Sequence, residues 1–192
     1  MTELKVGDSF PEGVAFSYAP ITPENSEITS CGIPQKFDAS EGKPPNSPIS
    51  FPNLHLVIGR TRDSHPAEFK KKKVVLVSVP GAFTPTCSVS HIPSYIQNAD
   101  KLKAQGVDQI VVIAFNDAWV MSAWGKANGI KDDFIIFACD TDAKFSKSIG
   151  WTAGERTARY AIVIDHGKVT YAAKEEGRGI EKSGAEAVLA KL

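Results

Sequence analysis

Hydrophobic residues in this chain gather in short unbroken runs, the signature of strands covered on both faces. Val74-Val75-Leu76-Val77-Ser78-Val79, Gln109-Ile110-Val111-Val112-Ile113-Ala114-Phe115 and Phe134-Ile135-Ile136-Phe137-Ala138 are three such runs. Val14-Ala15-Phe16-Ser17-Tyr18 predicts an earlier strand, and residues 20–40 read as irregular or weakly extended chain without a helix. Pro80 and Gly81 stop the first long run. A helix is predicted from 87 to about 105, with Thr84 or Thr86 as its N-cap and a kink at Pro93, which has no amide hydrogen to donate. Asn116-Asp117 ends the second run and can cap a helix through 127. A short helix over 143–149 stops at Gly150, residues 160–165 and 168–172 form a hairpin across His166-Gly167, and the tail from 183 to 192 is helical. Strands separated by helices, then an antiparallel hairpin and a terminal helix, predict an α/β fold with a mixed central sheet flanked by helices.

A length of 192 residues with 42% hydrophobic content suits a single domain with one interior spanning the whole chain. Residues 41–68 interrupt the pattern, because Pro44, Pro45, Pro48, Pro52 and Pro66 are five of the 12 prolines and surround a strand-like Leu54-His55-Leu56-Val57-Ile58. That stretch reads as a proline-rich loop insertion at the surface, either simply tolerated or serving as a partner-docking arm. Its flank of Arg60, Arg62 and Lys70 to Lys73 reads as solvated charge.

Twenty-two basic against 22 acidic side chains leave no net charge, so neither nucleic acid nor an anionic membrane is an expected partner. No run approaches the roughly 18 apolar residues of a membrane span, and the polar start lacks a secretory core, which predicts a cytoplasmic protein. Cys31, Cys87 and Cys139 lie far apart with no Cys-x-x-Cys pair. Structural disulfides therefore lack support, and His55, His65, His91 and His166 supply no zinc spacing, so neither metal nor cofactor is expected. An odd thiol in a reducing compartment suits redox chemistry.

Pro80-Gly81-Ala82-Phe83-Thr84-Pro85-Thr86-Cys87 delivers one cysteine from the end of a buried strand into the opening turn of a helix. First-turn N–H groups and the positive end of the helix dipole favour thiolate over thiol there. A lone cysteine is more often a small buried hydrophobe, and this strand–loop–helix setting is what turns the reading toward a nucleophile.

The octapeptide resembles the active-site loop of the peroxiredoxins, and the surrounding chain is similar to their type 5 branch, which includes the fungal allergen members and yeast alkyl hydroperoxide reductase. Ser88-Val89-Ser90-His91-Ile92-Pro93, the stretch from Asn116 to Gly125, Phe145-Ser146-Lys147-Ser148-Ile149-Gly150 and the stretch from Arg159 to Asp165 extend the likeness over 1–40 and 69–192, but not over 41–68. The resemblance implies a thioredoxin-like fold and a thiol-dependent peroxidase that reduces hydrogen peroxide and alkyl hydroperoxides through a cysteine sulfenic acid. It casts Cys87 as the peroxidatic thiol, Thr84 as the hydroxyl that contacts sulfur and peroxide, and Pro80 as the shield against water. Arg159 matches the arginine that stabilises the thiolate and the developing oxyanion. Bland rivals stand beside each: Thr84 as a helix cap, Pro80 as a strand terminator, Arg159 as a surface cation with Arg156 reaching the pocket instead. His91, one turn past Cys87, invites a Cys–His dyad reading but more often such a residue caps or packs.

The same resemblance casts Cys31 as the resolving cysteine, meeting Cys87 of a partner subunit, with thioredoxin or glutaredoxin as reductant, and leaves Cys139 as an inert core thiol. The resemblance implies that other branches carry their resolving cysteines near Ser183 or at Val112 or its neighbours, where this chain has none. Trp119, Val120, Met121 and Trp124 resemble the region near the family's subunit contact, which implies a homodimer; an ordinary core helix is the alternative. Ala190-Lys191-Leu192 is close to the peroxisomal Ser-Lys-Leu address, so import into peroxisomes is the alternative to the cytoplasm. A sensor that passes peroxide oxidation to a partner and a Cys–His hydrolase are the competing functions, the latter without a recognisable third orienting group.

Overall fold

The computed structural model describes residues 3–39 and 69–192. The expected 41–68 insertion, with its strand-like run from Leu54 to Ile58, lies outside the described residues. In chain order the elements are β1 (Ala15–Tyr18), β2 (Gln35–Asp38), β3 (Lys73–Ser78), a π turn (Cys87–His91), α1 (Ile92–Gln97), α2 (Ala99–Ala104), β4 (Gln109–Ala114), α3 (Ala118–Ala127), β5 (Ile135–Cys139), α4 (Lys144–Ser148), β6 (Thr152–Ala153), β7 (Arg156–Thr157), β8 (Tyr160–Asp165), β9 (Lys168–Lys174) and α5 (Ala185–Leu189).

The principal sheet has the order β2-β1-β5-β4-β3-β8-β9. β3, β4 and β5 are parallel and are joined by helical crossovers, while β1, β2, β8 and β9 pair antiparallel to their neighbours, so the sheet is mixed. Alternation along the strands divides the interior in two. Val74, Leu76, Val111, Ile113, Ile162 and Ile164 face a core closed by Phe10, Phe16 and Phe69 with Phe145 of α4. Val75, Val77, Val112 and Val163 face the opposite core, closed by Ile92 and Tyr95 of α1, Leu102 of α2, and Met121 and Trp124 of α3. The unbroken apolar runs are explained by this double coverage. Cys87 belongs to the second core.

The helix after the cysteine departs from the expected form. Residues 85 and 86 are already helical, and Ser88 N–H donates to the Thr84 carbonyl at 2.9 Å. Neither threonine caps through its hydroxyl: Thr86 makes no such bond, and Thr84 Oγ1 donates to the Gly81 carbonyl at 2.8 Å. The chain widens to π register over Cys87–His91, where Ile92 N–H reaches the Cys87 carbonyl. Pro93 follows directly, so the position without an amide hydrogen is accommodated by the wider turn and no break occurs there. The break falls instead at Asn98, at φ −102° and ψ 12°, where the Nδ2 group donates to the Ser94 carbonyl at 2.9 Å.

Other boundaries hold or shift for local reasons. Asp117 caps α3, its Oδ1 accepting from Trp119 N–H and Val120 N–H at 3.0 and 2.9 Å. His166 and Gly167 turn the hairpin with φ of 48° and 82°, the left-handed pair a tight two-residue turn needs. A 3₁₀ turn, Pro23–Asn25, and β2 stand in the segment expected to hold no helix. Thr22 N–H donates to Asn25 Oδ1 at 2.8 Å, which closes that turn locally. The terminal helix is shorter than expected.

Candidate active site

β3 ends against the segment that carries Arg159, and two buried side chains hold the junction. Ser78 Oγ donates to the Ala158 carbonyl at 2.8 Å, and Thr157 Oγ1 donates to the Val79 carbonyl at 2.6 Å. The chain then leaves the sheet at half-buried Pro80 and turns through Phe83, whose φ of 56° is unusual for a residue with a side chain. Asn116 Oδ1 accepts from Ala82 N–H at 2.8 Å, which anchors this loop to the end of β4. Asn116 therefore holds the loop, while its neighbour Asp117 does the capping. The Thr84 hydroxyl is committed to the Gly81 carbonyl within the same loop and is half-buried.

Cys87 is 1% exposed at the helix opening. Arg159, 8% exposed, donates from Nη2 to Cys87 Sγ at 3.4 Å and from Nη1 to His91 Nδ1 at 3.0 Å. The hydrogen-bond inventory sets the ring state, because a guanidinium can only donate and a carbonyl can only accept. His91 Nε2 lies 2.9 Å from the Ser183 carbonyl and so carries the proton, leaving Nδ1 as the acceptor for Arg159. Burial keeps this imidazole neutral, pushing its pKa down to about 4; the Ser183 carbonyl opposes that shift and the Arg159 charge adds to it. Tyr95 Oη donates to the same Ser183 carbonyl at 2.6 Å. His91 is thus a partner of the arginine and makes no bond to the thiol. Arg156 is exposed and lies over the Phe115 ring, its guanidinium carbon 5.1 Å from the centroid.

The other two cysteines sit elsewhere, and all three are free thiols. Cys31 is exposed, with Sγ 3.8 Å from the Thr29 carbonyl. Its segment is tied to α3 on both sides: Lys126 Nζ donates to the Ser30 carbonyl at 2.8 Å and Trp119 Nε1 to the Gly32 carbonyl at 3.2 Å. Cys139 is buried on β5 beside Thr141, and burial pushes its thiol up. Met121 and Trp124 are core residues, whereas Trp119 is half exposed. Among the described residues no group of three or more His, Cys, Asp or Glu side chains is placed to hold a metal ion. Sequence reasoning missed Ser78, Tyr95 and Thr157. Ser78 left a trace, as the one hydroxyl inside an apolar strand; the others are joined to the site only by the fold.

Comparison with known proteins gives this arrangement its family. The Redoxin family profile matches residues 5–189. The chain is 52% identical to peroxiredoxin Pen c 3 of Penicillium citrinum over 98% of this chain and 99% of that one. It is 42% identical to a Lipomyces kononenkoae protein whose name carries the words peroxisomal peroxiredoxin, over 96% and 99% of the two chains. Among solved structures it resembles reduced Prx3 of Vibrio vulnificus in complex with hydrogen peroxide, at 50% identity and a TM-score of 0.59 over 65% of this chain and 84% of that one. The chain belongs to the peroxiredoxin family. It has the thioredoxin-like fold of that family and is a thiol-dependent peroxidase, acting on peroxide through a cysteine sulfenic acid and recycled by a thiol reductant. No helix among the described residues is long and apolar enough to cross a membrane.

Proposed function

We propose that Cys87 is the peroxidatic thiol and Arg159 the cation that serves it, a reading carried by the 3.4 Å contact between Arg159 Nη2 and Cys87 Sγ. The thiolate attacks one peroxide oxygen, and the O–O bond breaks as the S–O bond forms. The second oxygen leaves as hydroxide or alkoxide and takes a proton from water. Cys87 becomes a sulfenic acid, and the peroxide becomes water or an alcohol. Arg159 offers fixed N–H donors to the sulfur before attack and to the departing oxygen after it. Thr84 contributes its hydroxyl oxygen from the same loop, and Pro80 narrows solvent access.

Resolution falls to Cys31, exposed and presented by a segment pinned to α3. Its thiolate attacks the sulfenic sulfur of a second subunit, the S–S bond forms as the S–O bond breaks, and the hydroxide released takes up a proton to become water; thioredoxin or glutaredoxin then reduces the disulfide. Hydrogen peroxide and alkyl hydroperoxides are the substrates and a homodimer is the working unit. The enzyme works in the cytoplasm, with a peroxisomal share supported by the name of the Lipomyces relative. The deciding experiment is stoichiometric peroxide added to the reduced protein, followed by peptide mass mapping. A Cys31–Cys87 disulfide between subunits is expected; a Cys87–Cys139 link, or oxidation that spares Cys87, overturns the assignment. Sedimentation of the reduced protein tests the dimer, and fluorescence of the tagged full chain against a peroxisomal marker tests the location.

A further inference from the structure

The contacts around Arg159 do not end at His91. Glu175, half-buried just past the end of β9, donates its backbone N–H to the Arg159 carbonyl at 2.9 Å. One oxygen of its carboxylate accepts three hydrogen bonds: Lys182 N–H at 2.7 Å, Ser183 N–H at 2.7 Å and Ser183 Oγ at 2.9 Å. Tyr171 Oη donates to the Lys182 carbonyl at 2.7 Å, so the 182–183 segment is held from both sides. The buried Ser183 carbonyl is thereby aimed at His91 Nε2 and Tyr95 Oη.

We propose that Glu175 is a positioning residue for peroxide reduction. Its carboxylate fixes the Ser183 carbonyl, the carbonyl fixes the ring plane of His91, and the ring holds the Arg159 guanidinium against Cys87. The proposal rests on the assignment of Cys87 and Arg159 above. An anionic oxygen suits this place, because three donors converge on one atom and charge-assisted bonds are shorter and stronger than neutral ones. A glutamine offers one neutral oxygen and adds an NH₂ group beside donors. The role differs from simple loop stapling in that its effect must pass through His91.

The test is a double-mutant cycle on the full chain, reading the rate of Cys87 sulfenylation by hydrogen peroxide in single turnover with quenched-flow mass spectrometry. Glu175→Ala is expected to slow sulfenylation about tenfold, the size of a lost hydrogen-bond network member, and to cost nothing further once His91→Ala is present. An unchanged rate, or the same loss in both backgrounds, overturns the proposal. If Glu175→Ala does not fold, Glu175→Gln enters the same cycle under the same two criteria. Nitrogen-15 NMR of the imidazole supplies an independent reading: His91 Nε2–H is bonded to the Ser183 carbonyl in the parent protein, and its Nε2 shift moves as that bond weakens in Glu175→Gln. An unchanged Nε2 shift in the variant overturns the proposal. Failure of the parent protein to oxidise at Cys87 would instead remove the site assignment, and the NMR comparison would still judge Glu175.

Discussion

Replacing Arg159 with alanine removes the guanidinium from two buried partners at once. At 3.4 Å and an effective dielectric of about 20, a guanidinium and a thiolate attract by about 5 kcal/mol before the cost of taking both out of water. Hydrogen bonds to charged groups retain about 1.5–3 kcal/mol after that cost, which corresponds to a loss of about 10- to 150-fold in the rate of peroxide attack. The deletion also leaves His91 Nδ1 without its donor, which costs about 1–3 kcal/mol of stability at a fully buried ring. The assay is stopped-flow consumption of hydrogen peroxide by the reduced protein, paired with iodoacetamide alkylation of Cys87 at fixed neutral pH. Both rates fall together, because both need the charged sulfur. Arg159→Lys recovers only part of the loss, since an ammonium is a point donor and cannot serve sulfur and imidazole along one plane. Full activity in Arg159→Ala, or a loss confined to Arg156→Ala, would refute this reasoning.

Three further outcomes are specific. Cys87→Ser loses peroxidase turnover entirely, since a hydroxyl at neutral pH does not supply the anion a thiol does; coupled oxidation of NADPH through a thioredoxin system reads it. Cys31→Ser keeps the first peroxide reduction fast while intersubunit disulfide and sustained turnover disappear, as non-reducing electrophoresis and steady-state rates will show. His91 sets a stability window: buried and neutral, it binds its proton at about pH 4, whereas an unfolded histidine does so near 6.5. The unfolded state therefore holds more protons between those values, and stability falls by about 3 kcal/mol as pH drops from about 6.5 to 4. In His91→Gln the decline over that interval is shallower in thermal melts; an identical slope would reject the neutral ring.

The strands were legible because double coverage leaves apolar residues at consecutive positions, and Val74 to Val79 carries that mark in full. Cys87 was legible for a related reason: its loop is local in sequence, with a strand stop, a helix start and the thiol within eight residues. Arg159 came from resemblance to a known family, since nothing in its neighbours distinguishes it from Arg156 until the fold turns one inward and leaves the other over Phe115. Pro93 was read against α register as a kink; the π turn ahead of it accommodates the missing amide hydrogen, and the division at Asn98 was not foreseen. The chain from Glu175 through Ser183 to His91 was illegible. Its partners lie on separate elements, and a neutral histidine is a product of burial that composition does not display.

The pairing of a neutral ring with a charged guanidinium also governs what happens after the sulfur reacts. Of the two side chains that the Arg159 guanidinium touches, His91 carries no charge, so on the proposed assignment a Cys87 thiolate is the anion in contact with it. A sulfenic acid is uncharged. On that assignment, oxidation removes the contacting anion from a cation at 8% exposure, a change expected to cost about 3–5 kcal/mol where no counterion replaces it. Relief is expected at the Cys87–His91 turn, which carries both side-chain partners of Arg159 and is held in the wider register. The expected consequence is a turn that loosens once the sulfur is oxidised. In Cys31→Ser, where the sulfenic acid persists, amides 88–91 should exchange with deuterium faster after one equivalent of peroxide than before it. Equal exchange in the two states would mean that the closed site tolerates the unpaired charge.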